Sequence, residues 1–63
     1  MWLICEMVYN DAPIIINKRN IIAVYPRYDE EGDECGSCIE VVNADTAFYV
    51  KEPYNYIERI LCP

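Results

Sequence analysis

Between Trp2 and Tyr9 the chain is almost wholly aliphatic, aromatic and β-branched, with Glu6 its one charge. That run reads as a strand. Asn10-Asp11-Ala12-Pro13 follows as turn chemistry: Asn and Asp fold their side chains onto the backbone, and Pro fixes φ. Ile14-Ile15-Ile16 comes next, three β-branched residues that are stiff at χ1 and favour the pleated sheet. A polar connector, Asn17-Lys18-Arg19-Asn20, leads to a third strand over Ile21–Tyr25, expected to end at Pro26 because proline cannot donate to a central ladder. Ser37–Val42 and Thr46–Lys51 read as two more strands around a turn at Asn43-Ala44-Asp45.

The period changes after Pro53, which suits the first turn of a helix. Tyr54, Ile57 and Leu61, with Ile60 beside them, make one apolar stripe, and Asn55, Glu58 and Arg59 fall opposite. A helix this short does not persist alone, so it must pack on the sheet. The expected fold is α+β and mainly β: five short antiparallel strands forming a curled sheet, with one C-terminal helix, in a single domain over residues 1–63.

Composition narrows the function. The chain has 63 residues, 54% of them hydrophobic, and a net charge of −6 from 11 acids and 5 bases. Such a field repels nucleic acid and anionic membrane surfaces, so neither is expected as a direct partner. There is no His, which removes Ser-His and Cys-His nucleophile pairs and any His metal site. The opening residues lack the basic flank and cleavage site of a signal peptide, and no apolar run reaches the ~18 residues of a membrane span. The expected location is cytoplasmic.

Four cysteines therefore read first as thiols or metal ligands rather than disulfides. Cys35-Gly36-Ser37-Cys38 is a C-x-x-C. As a redox pair it would need a cation or helix N-terminus to stabilise the thiolate, whereas it adjoins an acid run. As half of a zinc site it would need Cys5 and Cys62 to complete four ligands, with the first strand beside the final helix. Otherwise all four are structural thiols.

Asp29, Glu30, Glu31, Asp33 and Glu34 place five acids in six positions around Gly32. The glycine is misplaced for an EF-hand calcium loop. A solvated loop that blunts a sheet edge is the plainer reading. A mimic of nucleic-acid phosphates, aimed at a basic groove, is the alternative.

Six tyrosines, Trp2 and Phe48 are many rings for so small a chain. Neighbours on a strand face opposite ways, so Phe48 and Tyr49 part company, as do Val24 and Tyr25. Trp2, Tyr25, Tyr28, Tyr49 and Tyr54 are the expected interface residues, because rings with polar tips concentrate where proteins meet.

Ile14-Ile15-Ile16-Asn17, Ile21-Ile22-Ala23-Val24-Tyr25-Pro26, Ile39-Glu40-Val41-Val42 and Tyr49-Val50-Lys51-Glu52, before a helix carrying Ile57 and Ile60, resemble in order the FlbD-type flagellar accessory proteins and similar small phage-encoded sheet proteins. The resemblance spans about two thirds of the chain and implies a small β-rich fold without catalytic residues to carry over. The acid run and the C-x-x-C depart from the family pattern. The function expected is a non-enzymatic, homo-oligomeric module that regulates or inhibits a protein partner, such as a phage inhibitor of a bacterial enzyme or defence system. The alternative is a zinc-stapled structural module or a small-ligand binder at an oligomer interface.

Overall fold

The computed structural model describes residues Met1–Pro63. Its strands are β1 (Trp2–Glu6), β2 (Pro13–Asn17), β3 (Ile21–Tyr28), β4 (Glu34–Val41) and β5 (Phe48–Val50), followed by helix α1 (Tyr54–Leu61). A single 3₁₀ turn, Lys18–Asn20, joins β2 to β3. The fold is mainly β with one C-terminal helix, as the residue pattern predicts.

β1 and β2 form one antiparallel ladder, and β3, β4 and β5 form a second, three-stranded meander. One bridge joins them. Met7 opposes Val50, with hydrogen bonds from Val8 N–H to the Tyr49 carbonyl (3.0 Å) and from Lys51 N–H to the Glu6 carbonyl (2.8 Å). The strands therefore run β2, β1, β5, β4, β3 in space. The arrangement is open between β2 and β3.

The turns form where the sequence supplies tolerant residues. Asp11 and Asn43 take φ of 60° and 62°, the left-handed region that Asp and Asn enter most readily among side-chain-bearing residues. Asn10 Oδ1 accepts from Ala12 N–H at 3.1 Å and closes the first turn. Asn17 Oδ1 does the same for Arg19 N–H at 3.0 Å where the 3₁₀ turn begins.

Leu3, Cys5, Ile16, Ile39, Val50 and Ile57 form the buried core. Ile57 thus fastens α1 onto the sheet through the stripe that the helical period predicts. Val24 and Phe48 pack inward against this core, while Tyr25 and Tyr49 are exposed, as strand alternation requires.

Two boundaries differ from the sequence reading. β3 runs on through Pro26 to Tyr28, because β3 is an edge strand and proline there gives up no ladder bond. β4 begins at Glu34, so both cysteines of the C-x-x-C lie within a strand.

Candidate functional site

The largest feature left without a partner is the outward face of the β1–β2 ladder. Alternation sends Leu3, Cys5, Ile14 and Ile16 inward and Trp2, Ile4 and Ile15 outward. Ile4 sits directly opposite Ile15. Trp2, Ile4 and Ile15 are 62, 64 and 62% exposed, and together they line a shallow hollow of about 460 Å³ with no polar residue in its wall. Residue patterning pointed to Trp2 but missed Ile4 and Ile15. Their signal was the uncharged alternate positions of two neighbouring strands, visible only once the register pairs them.

The remaining interface candidates separate. Tyr25 and Tyr49 flank Cys38 as its cross-strand partners, and Cys38 lies between them at 2% exposure although it faces away from the core. The Tyr25 hydroxyl donates to Glu40 Oε2 at 2.9 Å. Hydrogen bonding with Cys38 and then with Glu40 holds the Tyr25 phenol above its ordinary pKa. Arg27 stacks on Tyr49, its guanidinium carbon 5.1 Å from the ring centre. These rings shield a thiol and hold one another by polar contacts. Tyr28 is exposed near the end of the same hairpin. Tyr54 is half-buried and lines the groove between α1 and β3.

The proposed zinc set is also corrected. The structure brings together no cluster of three or more Cys, Asp or Glu side chains able to hold a metal. Cys5 joins Ile57 in the core, but Cys62 lies beyond the helix and is exposed. Cys35 and Cys38 are three apart on a strand, so alternation points them to opposite faces. Cys35 is exposed and Cys38 buried. Burial pushes the Cys5 thiol from 9.0 up to about 12, and the neighbouring Glu52 carboxylate adds to it by charge and hydrogen bonding.

The C-x-x-C interior explains itself structurally. Gly36 has φ of 120°, and a Cβ there would run into the Val50 carbonyl oxygen. Ser37 is fully buried and donates from its hydroxyl to the Glu52 carbonyl at 2.7 Å.

The acid run divides likewise. Asp29 Oδ1 accepts from the N–H groups of Glu31 and Asp33, both at 2.9 Å, and ties the β3–β4 turn. Glu34 lies outside the loop, in β4, where Oε2 accepts from Tyr54 N–H at 3.0 Å. It caps the first turn of α1, since Pro53 supplies no side-chain cap. Glu30, Glu31 and Asp33 are the exposed carboxylates whose side chains make no hydrogen bond. Elsewhere, Lys51 pairs with Glu6 at 2.9 Å and with Asp11, and these two carboxylates hold its ammonium above its ordinary pKa.

No helix is long and apolar enough to cross a membrane. No family model, curated protein or solved structure matches the chain.

Proposed function

We propose that this chain is a non-enzymatic protein-binding module that regulates or inhibits a protein partner, which it grips with the outward face of β1–β2. The observation that carries this reading is the exposure of Trp2, Ile4 and Ile15 side by side on one ladder. Three large apolar side chains around one concavity are the composition of an interface centre. A membrane surface fits less well, because the chain carries a net charge of −6 and no basic residue lines the hollow.

The chemistry around the hollow supports the non-enzymatic part. Its wall contains no titratable group, and the shifted groups Cys5, Tyr25 and Lys51 serve the core, the thiol shield and an exposed ion pair. A catalytic site would gather perturbed groups in a cleft instead.

Pull-down from cells that make the protein, using tagged wild type beside Trp2→Ala and Ile4→Ser, tests the reading. The expected result is a stoichiometric companion protein held by the wild type. Trp2→Ala should weaken it by about thirtyfold, the ~2 kcal/mol of a buried aromatic anchor. Equal recovery by wild type and both variants, or no companion at all, contradicts it.

A further inference from the structure

The two edges of this sheet are treated differently. β3, at one end, is interrupted by Pro26, shifts register between Ile21 and Ala23 and again between Pro26 and Tyr28, and has α1 packed near it. These are the devices that keep an edge from pairing with another chain. β2, at the other end, is a regular five-residue strand of sequence Pro-Ile-Ile-Ile-Asn, with neither a charge nor a bulge and with its one proline, Pro13, at its first position rather than its middle.

Its outward hydrogen-bonding groups follow from the ladder. Lys18 N–H bonds the Met1 carbonyl at 3.1 Å, and Met7 N–H bonds the Ala12 carbonyl at 2.8 Å. Antiparallel pairs alternate between bonded and non-bonded, so Leu3–Ile16 and Cys5–Ile14 are the bonded pairs between them. The N–H and carbonyl of Ile15, the N–H of Asn17 and the carbonyl of Pro13 therefore face away from β1.

We propose that β2 pairs antiparallel with β2 of a second copy, centred on Ile15, to make a symmetric dimer. In that register the two Ile15 residues exchange both bonds. Asn17 N–H meets the Pro13 carbonyl of the second copy, and because proline has no N–H the return bond of that pair is lost at both ends, leaving four bonds in all. The ends of the ladder are complementary in charge. Arg19, exposed and with no side-chain hydrogen bond, comes to the same end as Asp11 of the second copy, whose carboxylate already pairs with Lys51 in a Glu6–Lys51–Asp11 cluster of net charge −1, and the symmetry repeats the contact. Beside the strand runs a mostly apolar trough of about 300 Å³, lined by Trp2, residues 14–17 of β2, Asn20, Val41 and Phe48. The inward-facing isoleucines of the second β2 lie against it. The strand edge and the outward face share Ile15, whose backbone serves the edge and whose side chain serves the face, and Trp2 borders both.

Sedimentation equilibrium of the full chain, from micromolar to millimolar concentration, tests it together with hydrogen exchange. The expected mass is twice the 7.4 kDa of one chain, with the Ile15 amide protected in the dimer. A synthetic chain with an ester in place of the Ile15 amide keeps every side chain and loses only the central donor. It should dimerise roughly thirtyfold more weakly. Ile15→Pro removes the same N–H, which makes no bond within the chain, and should be monomeric with an unchanged circular dichroism spectrum. Arg19→Glu should weaken the dimer about tenfold. Ile4→Ser, on the outward face and away from the trough, should leave it intact. A single-chain mass throughout, an unprotected Ile15 amide in a dimer, or wild-type dimerisation of the ester or the Arg19→Glu chain overturns the proposal. So does a dimer abolished by Ile4→Ser, which would place the contact on the outward face.

Discussion

Gly36 and Asp29 show how much a single residue decides here. At Gly36 the backbone is left-handed and the Val50 carbonyl occupies the space of a Cβ, so Gly36→Ala is both strained and overpacked. Chemical denaturation should show a loss of about 2 kcal/mol or more. At Asp29 one carboxylate oxygen holds two backbone N–H groups of the turn. Asp29→Ala should cost about 1 kcal/mol, while Asp29→Asn, whose amide oxygen accepts the same bonds, should cost less than half as much. The thiols divide by burial: Cys35 and Cys62 should react with an aromatic disulfide reagent in the native state, and Cys5 and Cys38 only after denaturation. Cys5 also marks the alkaline limit. Its folded pKa is raised, so its protonated form favours folding fully below pH 9, and that contribution is lost as pH rises from 9 towards 12. The unfolding free energy of the wild type should therefore fall more steeply over that window than that of Cys5→Ala, by up to about 4 kcal/mol.

At the scale of the element, α1 depends on a residue far from it in sequence. Glu34 reaches from the start of β4 to Tyr54 N–H, where no neighbour of the helix could serve. Glu34→Gln should keep the bond and lose its charge, for about 0.5 kcal/mol, and Glu34→Ala should lose about 1 kcal/mol. Thermal unfolding followed by far-ultraviolet circular dichroism ranks the two. This contact was hidden in the sequence because Glu34 closes a run of acids that reads as one solvated loop. Periodicity exposed the helix, its Ile57 stripe and the inward–outward split of Val24 and Tyr25, since each needs only local alternation. It missed the extension of β3 past Pro26, because whether a proline is tolerated depends on whether its strand is an edge. It also missed Ile4 and Ile15 as one surface, because their pairing is a matter of register.

For the whole molecule, the balance between its two halves matters most. The three-stranded meander engages two of its outward rings in polar contacts, Tyr25 with Glu40 and Tyr49 beneath Arg27, and leaves Tyr28 and Ile22 exposed. The two-stranded ladder has no such cover, and its outward Trp2, Ile4 and Ile15 face solvent together. Topology disperses the four cysteines, two into buried positions and two to the surface, and gathers no three of them with other ligands.

A photoreactive benzoylphenylalanine placed at position 2 or 4, in cells that make the protein, tests the central claim most directly. Irradiation should give a discrete adduct with one other polypeptide from either position, and none from position 55 on the exposed side of α1. Adducts absent from positions 2 and 4, or formed equally from position 55, would contradict the claim that the outward face of β1–β2 is where another protein binds.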